Sequence, residues 1–375
     1  MDLSIPSDAQ AMSETWLTAA LREGGVLPSG RVEKLASVPI AEEICLLGRL
    51  WRVTIEYDAA APPSAPRQLV AKFPTAAAAN REVALGYHFY RREFNFYRYL
   101  PRDSGLAVPR LYYAAIDRES ASFVLLIEDL QAYTLGDQLV GADEAQVFAV
   151  GELAARSHAR FWGRVSRTPA EWLIDPRAPF HAGLVHSMYR ATLPTTLRSF
   201  GPRFTPQLRS AAERLVECIP AFWQHMTEAP TTFLHGDLRL DNLAFGGPEQ
   251  RYPVVMMDFQ IAMLGRGPFD VAYFMSQSVP PAVRVRTERA LLERYYAALR
   301  NHGVDDYTFE ACLRDYQRST LYCLAYPVIV GSTFDPTSER ARVFGEVFLA
   351  RSLSAIEALI DAGVMDDILS ELEAH

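Results

Sequence analysis

The apolar residues of this chain change their spacing near residue 130, and this change limits the folds that the chain can adopt. Before that point, short runs alternate between apolar and polar residues, as around Val53, Ile55 and Tyr57, which is typical of strands with one buried face. After it, apolar residues recur every three or four positions, as in EAQVFAVGELAARSHARFW from Glu144, which predicts helices. The pattern therefore predicts a small lobe that contains a sheet, followed by a larger, mainly helical lobe.

Within the small lobe, the predicted order is an N-terminal helix, then strand, strand, helix, strand, strand. The run LVAKF follows the Pro-rich stretch APPSAP and predicts an antiparallel pair with the preceding strand. The runs LYYAAI and SFVLLI predict a second pair, and an apolar stripe predicts one helix over residues 80–100. We expect the lobes to be residues 1–130 and 131–375. Beyond residue 162, helices are predicted near residues 205–227, 281–300, 308–326 and 338–373.

The composition argues against several classes of protein. The 45 acidic residues outnumber the 37 basic ones, so the net charge of −8 does not suggest a nucleic-acid-binding surface. No apolar stretch approaches the ~20 residues of a membrane span, and the N-terminal sequence does not resemble a signal peptide. The four cysteines have no CxxC spacing, which favours a reduced protein over a disulfide scaffold or a zinc site. We expect a cytoplasmic protein without nucleic-acid or membrane partners, and its oligomeric state is unknown.

Two polar segments carry the residue types that phosphoryl transfer needs. LHGDLRLDN supplies Asp237 and Asn242, and PVVMMDFQ places Asp258 at the end of an apolar strand. A carboxylate can orient an attacking hydroxyl group, and carboxylate and amide oxygens can hold magnesium beside nucleotide phosphates. The alternative interpretation is that the first segment is a polar turn capping a helix and that the second simply ends a strand.

The spacing HGD-x4-N with a downstream DF resembles the catalytic and metal-binding loops of the aminoglycoside phosphotransferase/choline kinase superfamily, which are relatives of the protein kinases. The DFQ form, REFNFY and HARFW are most similar to the ecdysteroid-kinase-like branch and its bacterial relatives. The resemblance covers about residues 30–330 and implies an α+β, bilobal protein-kinase-like fold. It implies a nucleotide-binding N-terminal lobe and a C-terminal lobe with the catalytic and metal loops and the substrate pocket. It also implies ATP and Mg²⁺ as cofactors.

Carried over position by position, the resemblance makes Asp237 the catalytic carboxylate and makes Asn242 and Asp258 the magnesium ligands. Lys72, in LVAKF, would contact the nucleotide phosphates and would be fixed by Glu93 of REFNFY. Only two of the 37 basic residues are lysines, so a special role for Lys72 is favoured over that of a solvated surface lysine.

The remaining site assignments rest on position. Glu128 and Leu130, in SFVLLIEDL, would present backbone groups to the adenine base. Gly48 is the only glycine of AEEICLLG, where the resemblance places the loop that covers the phosphates. Arg239 either neutralises charge on the transferred phosphoryl group or pairs with Asp241, and both interpretations stay open.

Three residues are expected to support the site or the core. Asp270, in GRGPFDVAYF, resembles the aspartate that braces the catalytic loop through backbone N–H groups in this superfamily. His235 is expected to hold the same loop, and His158 to be a satisfied core histidine. Gln260 replaces the glycine of the kinase DFG segment, and because positive φ is costly there without glycine, we expect no regulatory flip of the segment.

The predicted function is therefore an ATP- and magnesium-dependent phosphotransferase that acts on a hydroxyl group of a small molecule, with a lipophilic alcohol favoured. The alternatives are an aminoglycoside- or choline-type kinase, or a nucleotide-binding pseudokinase without turnover, which the glycine-poor loop favours. Five aromatic residues could line an apolar pocket, cage a quaternary ammonium group or pack the helical core. They are Tyr307, Phe309, Tyr316, Tyr322 and Tyr326.

Overall fold

The computed structural model of this chain describes residues 3–40, 47–99, 105–117, 122–164, 173–176, 178–331 and 339–374. The chain has an α+β, protein-kinase-like fold with two units. The first unit is Met1–Tyr133 together with Val255–Ile261, and the second is Thr134–Val254 together with Ala262–His375. A short segment distant in sequence therefore belongs to the unit that contains the sheet.

The first unit is built on a five-stranded antiparallel sheet with the strand order β1-β2-β3-β5-β4. Its strands are β1 (Val32–Ile40), β2 (Gly48–Tyr57), β3 (Gln68–Pro74), β4 (Leu111–Ile116) and β5 (Phe123–Glu128). Helix α1 (Glu14–Glu23) packs its buried Trp16 and Leu17 into the core of this sheet. The predicted β2–β3 and β4–β5 pairs are confirmed. Strand β1 escaped prediction because Val32 alone is fully buried in it, so its sequence lacks a clear alternation.

Two helices, rather than the single helix predicted over residues 80–100, follow β3. They are α2 (Ala78–Gly86) and α3 (Phe89–Tyr99), and residue 100 lies outside the described residues. The single helix is wrong because His88 has a φ of 58°, in the left-handed region that ends a right-handed helix. Helix α3 then turns its buried side chains, among them Tyr90, Glu93 and Phe96, toward the interior of the unit.

The second unit is mostly helical, as predicted. Its helices are α4 (Glu144–Phe161), α5 (Pro179–Ser199), α6 (Pro206–Met226), α7 (Pro268–Ser278), α8 (Pro281–Asn301), α9 (Phe309–Tyr322), α10 (Ala325–Gly331), α11 (Glu339–Asp361) and α12 (Met365–Glu373). The helix predicted near 338–373 is divided because Gly363 has a φ of 70°. The helix predicted near 308–326 is also divided, since α9 ends at Tyr322. No described helix has both the length and the apolar character that crossing a membrane requires.

Short strands hold the polar segment of residues 235–242 at both of its ends. Strand β7 (Thr232–Leu234) precedes it and pairs with β10 (Met263–Gly265), while β8 (Leu243–Phe245) follows it and pairs with β6 (Thr134–Leu135). Strand β9 (Val254–Met256) leads into the segment that carries Asp258. Paired strands are rigid, so residues placed directly beside them are held at fixed positions.

A buried ionic cluster stabilises the helices of the second unit. The Asp315 carboxylate, only 2% exposed, accepts hydrogen bonds from Arg266 Nη1 at 3.0 Å and Tyr307 Oη at 2.5 Å, and it lies 2.9 Å from His225 Nε2. Burial acts to raise the pKa of Asp315, but the hydrogen bond with His225, the charge of Arg266 and the bond from Tyr307 together hold that pKa below its ordinary value. The carboxylate is therefore charged in the folded protein at neutral pH.

Replacing Asp315 by asparagine is expected to lower the free energy of unfolding by about 3–5 kcal/mol at neutral pH, because Arg266 is left without its buried partner. Since the folded-state pKa of Asp315 is depressed, its contribution is present above the unfolded-state pKa of about 4 and is lost as pH falls through the folded-state value. Urea unfolding at several pH values would measure this loss of stability. In acid, the Asp315→Asn variant and the unaltered chain should have nearly the same free energy of unfolding. Asp366→Asn, which removes a 91% exposed partner of Arg214, is the control and should stay within about 1 kcal/mol.

Candidate active site

A buried lysine and a buried glutamate meet in the first unit. Strand β3 places Lys72 between Leu50 of β2 and Leu125 of β5, at the centre of the sheet. Helix α3 places Glu93 beside it, so that Lys72 Nζ lies 2.9 Å from Oε1 and 2.8 Å from Oε2 of Glu93. The two side chains are only 5% and 2% exposed. The structure thus brings together the strand and helix residues that the sequence singled out.

The Asp258 segment binds to the same pair. Asp258 Oδ1 lies 3.4 Å from Lys72 Nζ, and Gln260 Nε2 donates to Glu93 Oε2, also at 3.4 Å. Arg92 Nη1 donates to the carbonyl oxygen of Gln260 at 2.6 Å. Phe259, between Asp258 and Gln260 in the sequence, stacks on Phe96 of α3 with ring centroids 3.7 Å apart. These contacts hold Asp258 beside Lys72.

Asp258 itself has a φ of 64°, in the left-handed region that few residues other than glycine adopt. Aspartate tolerates this region better than most residues, but the conformation persists only where the surroundings fix it. Here the bonds of Gln260 and the stacking of Phe259 supply that support. The conformation presents a carboxylate that is 35% exposed, more open than either partner of the Lys72–Glu93 pair.

The electrostatics of this group are dominated by burial. Burial raises the pKa of Glu93 above its ordinary value, the Lys72 ammonium group counteracts this, and the charge of Asp258 adds to the rise. Two carboxylates therefore compete for a single buried ammonium group. An additional cation near Asp258 would relieve that competition.

A second group of polar residues lies in the second unit, between β7 and β8. The chain makes a 3₁₀ turn at Leu240–Asn242, and Asp237 precedes it with a side chain that is 22% exposed. Asp237 Oδ2 accepts from Asn242 Nδ2 at 2.9 Å and from Arg239 Nε at 3.3 Å. Asp237 Oδ1 accepts from the hydroxyl group of Tyr273 at 2.7 Å. Three donors thus converge on one carboxylate.

These donors keep Asp237 ionised. Burial acts to raise the pKa of Asp237, but the charge of Arg239 and the hydrogen bond from Tyr273 outweigh it and hold that pKa below its ordinary value. A carboxylate that is charged at neutral pH can accept a hydrogen bond from a hydroxyl group and orient it.

Arg239 has two acidic partners within its own loop. Besides Asp237, its Nη1 donates to Asp241 Oδ2 at 2.7 Å, so the predicted pair with Asp241 is present. Asp241 in turn accepts from the backbone N–H of Gln138.

The bracing role predicted for Asp270 is confirmed. From the first turn of α7, its Oδ2 accepts the backbone N–H of His235 at 2.7 Å and its Oδ1 accepts that of Gly236 at 3.0 Å. His158 is a satisfied core histidine, as predicted, with contacts to Tyr295 at 2.8 Å and Asp270 at 3.2 Å. The buried His235 contacts the backbone N–H of Asp237. The backbone of residues 235–237 is therefore held in place by the side chains of Asp270 and His235.

The residues predicted to meet the nucleotide base lie where β5 ends. Glu128 closes β5 and donates its backbone N–H to the carbonyl oxygen of Arg110 at 2.9 Å. The carbonyl oxygen of Leu130 accepts from Tyr133 at 2.8 Å. Gly48 begins β2, opposite Pro74. Residues 41–46, which make up most of the predicted phosphate-covering loop, lie outside the described residues.

The donor chemistry of each unit fits magnesium, which prefers carboxylate and amide oxygens. Asp258 offers a partly exposed carboxylate in the first unit. In the second unit, Asn242 donates from its Nδ2 to the backbone and side-chain oxygens of Asp237, and no described residue donates to its amide oxygen, which can therefore accept a ligand. Within the described ranges, no three His, Cys, Asp or Glu side chains cluster as a metal site of their own.

The sequence does not predict the contacts that Tyr273 and Gln260 make at these polar groups. Tyr273 follows Asp270 by three positions on α7, a spacing that places both on one helix face, but nothing in the sequence connects Tyr273 to Asp237. The sequence shows that Gln260 replaces a glycine, but it does not predict the hydrogen bond to Glu93, which is 167 positions away in the chain. Only the fold brings such residues together.

The five aromatic residues of the last helices do not form one group. Tyr307 and Tyr316 are buried and donate to Asp315 and Glu288, Tyr322 stacks on Phe222, and Phe309 packs against Tyr296. Core packing thus explains most of them, because each has a separate partner on a neighbouring helix. The exception is Tyr326, which is half-buried and meets the Tyr273 ring edge to face at 4.7 Å.

The fold and these two polar groups define a protein of the kinase-like class. The model of the ecdysteroid kinase-like family matches residues 46–304, more than half of the chain, so the chain belongs to that family. The superfamily recognised from the HGD-x4-N and DFQ motifs is thereby confirmed. No protein of curated function matches the chain.

Solved structures with the same fold share little sequence with this chain. Choline kinase from Cryptosporidium parvum Iowa II is 11% identical, with a TM-score of 0.53 over 89% of this chain and 93% of that one. Wild-type aminoglycoside 2′-phosphotransferase-IIIa, in its GDP complex, is 13% identical, with a TM-score of 0.51 over 92% of this chain and 100% of that one. At such identities the similarity establishes the fold alone.

Proposed function

We propose that this chain is an ATP- and magnesium-dependent phosphotransferase that transfers a phosphoryl group to a hydroxyl group of a small molecule. The observation that carries the proposal is the buried Lys72 ammonium group, bound by both oxygens of Glu93 and 3.4 Å from Asp258. Buried ion pairs seldom add to stability, so this pair on a central strand favours a functional role. Membership of the kinase-like family and the fold shared with a choline kinase and an aminoglycoside phosphotransferase support the same reaction.

In this proposal each polar group has a distinct task. Lys72, fixed by Glu93, binds the nucleotide phosphates as a point charge. Asp258 and Asn242 each supply an oxygen ligand to magnesium, which when bound neutralises charge on the phosphates. Asp237 orients the acceptor hydroxyl group and takes its proton, and Arg239 places a positive charge beside it.

The nucleotide base is assigned to the segment after β5. The backbone N–H of Leu130 has no acceptor in the described part of the chain, so it is available to the base. Arg52 Nε donates to Asp129 Oδ2 at 2.6 Å and fixes this segment to β2. Gly48 and Glu128 complete the proposed nucleotide site from the ends of β2 and β5.

A mainly apolar alcohol is the acceptor that we favour. In the second unit, Tyr273 contacts Asp237, the Tyr326 ring packs edge to face on Tyr273, and Arg239 lies over the Phe344 ring at 5.9 Å. Aromatic walls with a few polar groups are typical of sites for apolar ligands. Aromatic rings also bind ammonium cations, so a choline-type acceptor is the second candidate.

The acceptor is identified by incubating the full chain with magnesium, labelled ATP and a panel of hydroxylated compounds, and by reading phosphate transfer with mass spectrometry. The panel contains apolar alcohols, choline, ethanolamine and aminoglycosides. Transfer to apolar alcohols supports the proposed acceptor. Transfer to choline or an aminoglycoside contradicts that acceptor but still supports a phosphotransferase reaction. ATP binding without phosphoryl transfer to any acceptor, water included, contradicts the proposed enzymatic activity and indicates a pseudokinase.

Asp258→Asn is expected to lower magnesium-dependent ATP turnover by about 100- to 1,000-fold, because the ion loses a negatively charged ligand. The measurement is ADP formation over a magnesium titration. Glu56→Gln removes a carboxylate that is 65% exposed in the same unit and is the control, with unchanged turnover. Equal turnover of Asp258→Asn and the unaltered chain would remove Asp258 from the site.

A further inference from the structure

We infer that the Tyr273 hydroxyl group is a positioning group that determines which oxygen of Asp237 meets the acceptor hydroxyl group. The inference rests on the proposed function, in which Asp237 orients the acceptor. Tyr273 lies on α7, is only 3% exposed, and donates to Asp237 Oδ1 at 2.7 Å. No feature of the sequence links these two residues, and the fold alone places them in contact.

The argument begins with the hydrogen bonds that each oxygen of Asp237 already accepts. A carboxylate offers about four acceptor positions, two on each oxygen. Asn242 Nδ2 and Arg239 Nε both donate to Oδ2, at 2.9 and 3.3 Å, and so fill that oxygen. Tyr273 takes one position of Oδ1 and leaves the other. Oδ1 is therefore the oxygen that can accept a hydrogen bond from a substrate hydroxyl group.

The packing of Tyr273 makes it a fixed donor. Its ring meets Tyr326 edge to face, with centroids 4.7 Å apart, and lies 6.3 Å from the ring of Phe269. The same helix holds the loop a second time, through the bonds of Asp270 to the backbone N–H groups of His235 and Gly236. Asp270 and Tyr273 thus fix the backbone before Asp237 and the carboxylate itself from one helix face.

The protonation of Tyr273 is consistent with this role. Burial and the neighbouring charge of Asp237 raise the pKa of Tyr273 well above its ordinary value. The hydroxyl group consequently keeps its proton and remains a donor while a substrate proton passes to Asp237. Without it, the carboxylate would lose the one hydrogen bond that Oδ1 accepts from the described residues, and it could rotate away from the acceptor.

The test compares Tyr273→Phe with the unaltered full-length chain, using phosphate release from magnesium-ATP with water as the acceptor. Misplacement of a catalytic group by a fraction of an ångström lowers rates steeply, so kcat should fall about 10- to 100-fold while KM for ATP stays within about twofold. Tyr322→Phe is the matched control, because Tyr322 is an equally buried tyrosine of the same unit whose ring stacks on Phe222. It should leave kcat unchanged, and melting temperatures establish that both variants fold.

A double-mutant cycle separates positioning from a general structural effect. If Tyr273 acts through Asp237, adding Tyr273→Phe to Asp237→Asn should cause little further loss of kcat. Losses that multiply in the double variant, or a Tyr273→Phe kcat within twofold of the unaltered chain, overturn the inference alone. An unaltered chain that neither binds ATP nor releases phosphate overturns the proposed function, and this inference with it.

Discussion

Asp237→Asn is expected to lower kcat by about 100- to 10,000-fold while ATP still binds. The asparagine side chain keeps the size of the carboxylate but carries no charge and cannot take a proton from the acceptor hydroxyl group. The three donors that now converge on Asp237, from Tyr273, Arg239 and Asn242, would also face an amide that cannot satisfy all of them. Single-turnover transfer from labelled ATP measures the loss, and calorimetric titration measures ATP binding.

The control for this variant is Asp305→Asn, which changes a 77% exposed aspartate of the same unit and should leave kcat unchanged. An Asp237→Asn chain that turns over ATP at the rate of the unaltered chain would show that Asp237 is a polar loop residue without a catalytic role. Loss of ATP binding together with turnover would point instead to collapse of the loop, which the melting temperature would reveal.

Lys72→Met is expected to abolish measurable ATP binding and to lower the free energy of unfolding by about 3–5 kcal/mol. The loss of stability arises because Glu93, which is only 2% exposed, remains buried without its counter-charge. In Lys72→Met with Glu93→Gln, the buried charge is gone, so most of the stability should return while ATP binding stays absent. Urea unfolding and ATP titration of the single and double variants separate the two effects.

The chain provides its own control for that experiment. Lys34, the other lysine, is 74% exposed and pairs with Glu56 at 3.1 Å on the sheet surface. Lys34→Met should change the free energy of unfolding by less than about 1 kcal/mol and should leave ATP binding intact. If the double variant at Lys72 and Glu93 bound ATP as tightly as the unaltered chain, Lys72 would be a structural residue only.

The sequence was sufficient for the strand pairs β2–β3 and β4–β5 and for the mainly helical second unit, because alternation and helical periodicity are local patterns. It was insufficient at the break between α2 and α3, because the apolar stripe continues past His88 while the positive φ of His88 interrupts the helical backbone. Strand β1 was missed because a strand with one fully buried residue leaves no alternation to recognise. Local patterns thus identify buried faces better than they identify breaks.

The site divides in the same way. Short motifs identified Lys72, Asp237, Asn242 and Asp258, and the resemblance of GRGPFDVAYF to the superfamily implied that Asp270 binds the loop, as it does. The contacts of Tyr273 and Gln260 could not be predicted, since each depends on the packing of a helix against a loop distant in sequence. Their roles are set by distances, and sequence spacing carries no information about those distances.

The attachment of Gln260 to helix α3 has a consequence for how such a molecule fluctuates. Arg92 holds the Gln260 carbonyl oxygen, Gln260 holds Glu93, and Phe259 stacks on Phe96, so the helix and the Asp258 segment are joined at three points. A thermal excursion that carries Glu93 away from Lys72 must carry Asp258 as well. In the proposed function, Lys72 binds the nucleotide phosphates and Asp258 binds the metal ion. The protein would then gain or lose both binding functions in the same motion, and molecules that have only one of them would be rare.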